Sequence, residues 1–143
     1  MADIKEFAEH GGQALTFIVG GEYYAFVISE VTDIIEIPPV TLIPKTPDYV
    51  LGIMNHRGKA VPVMDLRLRL GLPEGEYDER SCIIVTEINS LPYGIKVDRV
   101  SDVIRVLPEQ TAVSPAENGV VSGFVTQDDK RISMLNLDRL VRT

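Results

Sequence analysis

Tyr24-Ala25-Phe26-Val27-Ile28-Ser29-Glu30-Val31-Thr32-Asp33-Ile34-Ile35-Glu36-Ile37 decides how this chain is read, because its pattern occurs twice. At an offset of 69 stands Tyr93-Gly94-Ile95-Lys96-Val97-Asp98-Arg99-Val100-Ser101-Asp102-Val103-Ile104-Arg105-Val106, which keeps the Tyr, one Val, the Asp and one Ile in place. A second pair follows in the same order, at an offset of 71. Gly52-Ile53-Met54-Asn55-His56-Arg57-Gly58-Lys59-Ala60-Val61-Pro62-Val63-Met64-Asp65-Leu66 matches Gly123-Phe124-Val125-Thr126-Gln127-Asp128-Asp129-Lys130-Arg131-Ile132-Ser133-Met134-Leu135-Asn136-Leu137. Two matched blocks in one order at nearly one offset describe a duplicated unit of about 70 residues.

Within each unit the apolar period is two. Leu15, Phe17 and Val19 alternate up to Gly20-Gly21, and Tyr24, Phe26 and Ile28 alternate out of it, which is the pattern of a hairpin. The second unit repeats this with Ile84 to Ile88, a turn at Asn89-Ser90, then Tyr93, Ile95 and Val97. The Asn55–Gly58 and Gln127–Lys130 turns each join two further short strands. Pro38, Pro39, Pro44 and Pro47 exclude a long helix between them. Pro62 predicts an edge or a bulge for its strand. Asp65 to Leu70 and Asn136 to Val141 each have room for one or two helical turns. Several short strands per unit predict an all-β fold of two small barrels packed side by side, because a lone hairpin cannot bury its own face. The expected division is a first barrel over residues 14–70, an exposed acidic loop over 71–80 and a second barrel over 81–143. Residues 1–13 are expected to be a flexible N-terminus.

Composition narrows the function. The 143 residues are 45% hydrophobic with a net charge of −7, which fits one globular domain and disfavours a general binder of nucleic acid. The longest apolar run is Tyr23 to Ile28, far short of the roughly 20 residues that cross a bilayer. One cysteine forms no internal disulfide, and MADIKEFAEH lacks the pattern of a signal peptide, so the expected location is cytoplasmic. Metal and nucleophile chemistry finds little here: His10, His56 and Cys82 are too few for a closed zinc site. Cys82 opens the apolar run Cys82-Ile83-Ile84-Val85, the setting of a packed, inert thiol. Adjacent Asp128 and Asp129 read as a hairpin tip. No catalytic residue, cofactor or metal is expected. A barrel binding single-stranded nucleic acid would need aromatic stacking on a positive face, yet the chain has no Trp.

The same residues resemble the CheW family of chemotaxis coupling proteins. Gly52-Ile53-Met54-Asn55-His56-Arg57-Gly58, Val61-Pro62-Val63 and Asp65-Leu66 stand close to the family's G-V-x-N-L-R-G-x-x-x-P-V-x-D-L signature. Val97-Asp98-Arg99-Val100-Ser101-Asp102-Val103 looks like its V-D-x-V-x-x-V stretch, and Gly123-Phe124 and Leu135 to Leu140 also fit. The match runs from about Leu15 to Val141. The departure is His56, where the family usually has Leu; it puts the partner preference of this turn in question and adds a titratable group.

The resemblance implies two five-stranded, SH3-like barrels in a single CheW-like domain, and an adaptor without catalysis. Its implied partners are the cytoplasmic domains of chemoreceptors and the regulatory domain of the histidine kinase CheA, whose autophosphorylation it couples to ligand sensing within a membrane-associated receptor array. Neither nucleic acid nor membrane insertion is implied. The alternative is a CheW-like adaptor of another two-component pathway, serving pilus-based motility or cyclic-nucleotide signalling. Arg57, a five-donor group on a Gly-assisted turn, suits an acidic or amide-rich receptor helix, with Asp33 as the ion-pair partner that orients it. The second unit carries Asp128 in its place, so the shared fold does not demand an arginine. Asn55 suits either receptor contact or turn formation. Val31, Ile34, Val100 and Val103 complete the expected receptor-binding set, along a groove between the barrels that would receive an amphipathic helix.

Overall fold

Period-two alternation is realised as eleven strands in the computed structural model, which describes residues 4–73, 75, 77–114 and 119–142. A short helix, α1 (Ile4–His10), precedes β1 (Gly12–Val19), β2 (Glu22–Val27), β3 (Val31–Glu36), β4 (Val50–His56) and β5 (Lys59–Asp65). After α2 (Leu66–Arg69) come β6 (Cys82–Ile88), β7 (Leu91–Val97), β8 (Arg99–Val106), β9 (Thr111–Val113), β10 (Val121–Gln127), β11 (Lys130–Leu135) and α3 (Leu137–Val141). The hairpin turns Gly20-Gly21, Arg57-Gly58, Asn89-Ser90 and Asp128-Asp129 all hold both central residues at positive φ. That is the two-residue turn whose twist matches paired strands. Asp65 and Asn136 cap α2 and α3, each accepting a backbone N–H three residues on. The two helical segments read from the sequence are thus both present.

The barrels do not follow the halves 14–70 and 81–143. One sheet has the order β3-β6-β7-β5-β4 and the other β8-β1-β2-β11-β10-β9. Each barrel combines the opening hairpin of one unit with the later strands of the other. The chain crosses between sheets after β2 and again between β7 and β8 at Asp98. Periodicity specifies which side chains face inward, not which strand lies alongside, and non-local pairing wins because it buries a shared interface. The duplication survives as internal symmetry. Val63 pairs with Gly94 in one parallel ladder, and Met134 pairs with Ala25 in the other. β9 is the extra strand; its counterpart is a single bridge between Thr41 and Ile53. β5 lies between β4 and β7, so Pro62 is not on an edge. It sits one residue before the pairing to β7 begins at Val63, where its missing N–H costs no bond to that strand.

Three apolar clusters hold this arrangement. One fills the first sheet, with Met54, Val61, Val63, Ile83 and Val85. A second fills the other, with Ala14, Ala25, Val106, Val125 and Met134. The largest lies between them and draws on both: Leu15, Phe17 and Phe26 meet Leu66, Ile84 and Ile95. Of the residues 1–13 expected to be flexible, those described, from Ile4 on, are not a loose lead-in. From Ile4 to His10 they form α1, whose Ile4 and Phe7 are buried in the second cluster. The short N-terminal segment is ordered because those two side chains close one end of the barrel. His10 at its end is exposed, as read from the sequence.

Gly52 and its counterpart Gly123 show how tightly the barrels are wound. A Cβ at Gly123 would lie 2.7 Å from Ile4 Cγ1 and collide with the Ala112 carbonyl. A Cβ at Gly52 would strike the Thr41 carbonyl, and Gly52 holds φ +141°. Gly52→Ala is therefore expected to lower stability by about 2 kcal/mol, from backbone strain and the lost Thr41–Ile53 bridge. Urea unfolding checks this; a midpoint equal to that of the parent chain would show that the loop before β4 yields without cost.

Candidate interaction site

The β4–β5 turn sets the site. Arg57 and Gly58 occupy its two central positions at φ 52° and 78°. The Gly58 N–H donates to Asn55 Oδ1 at 3.2 Å, so Asn55 builds the turn whatever else it does. The turn tip lifts the Arg57 side chain into solvent, where it is 76% exposed, while its Nη2 donates to Asp33 Oδ2 at 3.1 Å. Asp33 lies on β3 just past an irregularity in the pairing to β6, and its Oδ1 accepts the N–H of Ile34 at 2.9 Å. One carboxylate thus closes an edge-strand amide and aims the arginine. The contact between Asp33 and Arg57 expected from the sequence is present. His56 adds what was not foreseen: its Nε2 lies 3.4 Å from that same Asp33 Oδ2.

The matching corner of the other barrel has the same backbone and different chemistry. Asp102 Oδ1 accepts the Val103 N–H at 3.0 Å, repeating the Asp33 bond. Where the first corner gathers Asp33, His56, Arg57 and Lys59, the second gathers Asp102, Gln127, Asp128 and Lys130. Only the first presents an arginine at the turn tip, which is why the two corners are not interchangeable.

The apolar members of the expected set divide in two. Val31 and Val100 are half-buried against the inter-barrel cluster and contribute to it. Ile34 and Val103 are exposed, at 43% and 50%, on the outer strands β3 and β8. Ile34 and Val100 line one cleft of about 570 Å³ together with Ile18, Tyr23, Arg80 and Arg99. Val103 does not line it. The structure therefore places Arg57 and Asn55 at a turn with Asp33 facing them from β3, Ile34 and Val100 along a cleft, and Val103 farther along β8, outside that cleft. Cys82 also borders this cleft. Burial raises its thiol pKa, in keeping with an unreactive side chain.

Sequence reasoning missed the seam that joins the barrels. Asp98 receives Arg67 Nε at 2.9 Å and Nη2 at 2.6 Å, a two-point ion pair, and accepts the Gly20 N–H at 2.9 Å. Those hydrogen bonds hold the Arg67 guanidinium firmly in its charged form. The segment over 71–80, read as a plain loop, contributes Tyr77 to this seam. Its hydroxyl donates to Asp65 Oδ1 at 2.6 Å, and the Lys96 ammonium stands 3.8 Å from the ring centroid. Burial, then the bond to Asp65, pushes the phenol well above its ordinary pKa. Glu74 and Glu76, part of the acidic character expected there, lie outside the described residues. A tyrosine among acidic and Gly/Pro residues carries no period, so no pattern marked it.

Among the described residues, no group of three His, Cys, Asp or Glu side chains is placed to hold a metal ion, and no helix is long and apolar enough to cross a membrane. The geometry offers recognition by an exposed, directed cation at one corner and by a cleft of mixed polar and apolar lining.

Comparison with known proteins bears on what is recognised. The family model described as "CheW-like domain" matches residues 13–143. The chain is 32% identical to "Chemotaxis protein CheW" of Rhizobium meliloti (strain 1021), covering 94% of this chain and 90% of that protein. It is 30% identical to "Chemotaxis protein CheW" of Helicobacter pylori, covering 91% and 81%. Among solved structures, the scaffolding protein TtCheW from Thermoanaerobacter tengcongensis is similar with a TM-score of 0.87 and 31% identity, over 93% of this chain and 94% of that one.

Proposed function

Because the chain belongs to the CheW-like domain family, we propose that it is a non-catalytic adaptor coupling the cytoplasmic tips of chemoreceptors to the histidine kinase CheA. One surface holds receptor and another holds the kinase regulatory domain, which raises their effective concentration and sets their geometry. The protein works in the cytoplasm, recruited to receptor arrays at the membrane. Among the residues, the observation that carries this reading is Arg57: a mostly exposed guanidinium on a rigid turn, aimed by Asp33. Its planar five-donor fork suits an acidic or amide-rich helix. Ile34 and Val100 in the cleft offer apolar contact to such a helix. Asn55 acts through the turn it builds, Val31 packs against the inter-barrel cluster, and Val103 adds an exposed apolar side chain farther along β8.

The test is reconstitution with receptor cytoplasmic fragments and the kinase from the same cell. Autophosphorylation is expected to rise strongly when the adaptor is added and to respond to receptor modification. Arg57→Ala is expected to stay folded, because the turn's hydrogen bond comes from Gly58 and Asn55, and to weaken receptor binding by about 1–2 kcal/mol. Full receptor-controlled kinase activity from a folded Arg57→Ala protein would remove Arg57 from the receptor surface. No adaptor-dependent rise from the parent chain would move it to another two-component pathway.

A further inference from the structure

His56 stands on the carboxylate that holds Arg57. Resting on the adaptor reading above, we infer that His56 gates Arg57: protonation of the imidazole loosens Arg57 from Asp33 and makes it available to an acidic partner helix.

The geometry is specific. Asp33 Oδ1 is taken by the Ile34 N–H, which leaves Oδ2 as the oxygen shared by Arg57 Nη2 at 3.1 Å and His56 Nε2 at 3.4 Å. The two basic groups differ in freedom. The His56 side chain is 17% exposed and the Arg57 side chain 76%. A protonated imidazole adds a second cation beside the Arg57–Asp33 pair, and of the two basic groups the long exposed guanidinium is the freer to move away, whereas the imidazole is confined by the walls around it. The remaining charges facing His56 are Lys59 on β5 and Glu87 on β6, while β7 contributes only Pro92. Lys59 balances Glu87 and Arg57 balances Asp33, so this corner is neutral with His56 uncharged and carries one positive charge with His56 protonated. Imidazole ordinarily changes charge between about pH 5 and pH 8. Protonation both frees the guanidinium and leaves a positive corner, and each effect favours a carboxylate-bearing helix. The corresponding corner of the other barrel, with Gln127 and Asp128, has no such device.

Two measurements test this, one needing no partner. In the free protein, the side-chain nitrogen resonances of Arg57 are followed by NMR from about pH 5.5 to about pH 8. They are expected to move with pH in the parent chain, and to be static in His56→Leu and His56→Gln. In parallel, the affinity for a receptor cytoplasmic fragment is measured at both ends of that range. The parent chain is expected to bind about two- to fivefold tighter at the acidic end, after subtracting any change shown by both His56 variants. Arg57 resonances that stay static with pH, or that move equally in the His56 variants, would overturn the gate whatever the affinities. Resonances that move without any His56-dependent change in affinity would overturn the claim that release favours an acidic helix, as would tighter binding at the alkaline end. Moving resonances with no fragment binding at either pH would uphold the gate and overturn the receptor assignment.

Discussion

Phe17→Ala is expected to cost about 3–5 kcal/mol and to weaken both barrels at once. Phe17 is fully buried at the centre of the inter-barrel cluster. Its ring lies 5.0 Å from that of Phe26 and 6.2 Å from that of Tyr24, centroid to centroid. Truncation removes the largest side chain where β1 of one sheet faces Ile84 and Ile95 of the other, and the surrounding strands are tied into ladders that cannot collapse into the gap. The barrel of β3 to β7 is one continuous stretch of chain, but the other is split around it, and both share the cluster that Phe17 fills, so neither keeps a complete core without the other. Urea unfolding followed by far-ultraviolet circular dichroism should therefore remain a single transition, with a lower midpoint and an unchanged slope. A second transition, with amide signals of β3 to β7 outlasting those of β1 and β8, would refute a shared core.

Asp98→Ala is expected to cost about 2–3 kcal/mol, unusually much for a residue with a fifth of its side chain exposed. The substitution strips Arg67 of a two-point partner in a part-buried seam and leaves the Gly20 N–H without its acceptor. Since Asp98 lies where the chain passes from β7 into β8, losing it loosens the joint between the barrels. A double-mutant cycle with Arg67→Met should show a coupling energy above about 1 kcal/mol. Such a pair is shielded from solvent and should lose little of that coupling in concentrated salt. Additive effects, or coupling abolished by salt, would reduce the contact to an ordinary surface ion pair. Together the two substitutions separate the apolar from the ionic part of the barrel interface.

Much of this molecule was legible from its residues alone. Alternation marked the strands, paired turn residues marked the hairpins, and the offset between Tyr24 and Tyr93 revealed the repeat. Each is a local property, set by side-chain period and by which residues tolerate positive φ. The turn carrying Arg57 was visible for the same reason, since its Gly58 and Asn55 neighbours announce the geometry. What the repeat could not say was that its units exchange hairpins. A strand's partner is chosen by the interface that pairing buries, and Phe17 and Ile84, far apart in the chain, share one buried cluster. The same holds for α1, whose few residues have no stable helix by themselves and exist because Ile4 and Phe7 close a barrel. It holds again for Tyr77 and Asp98, ordinary letters of loop and turn until Asp65 and Arg67 are brought beside them. His56 is the sharpest case: as a letter it is a departure from a pattern, and only the fold sets it on the oxygen that Arg57 also uses. Sequence determined the strands, their inward faces and the turn that lifts Arg57; tertiary structure decided which strands became neighbours and which charges share a partner, because both depend on distances through space that no local period encodes.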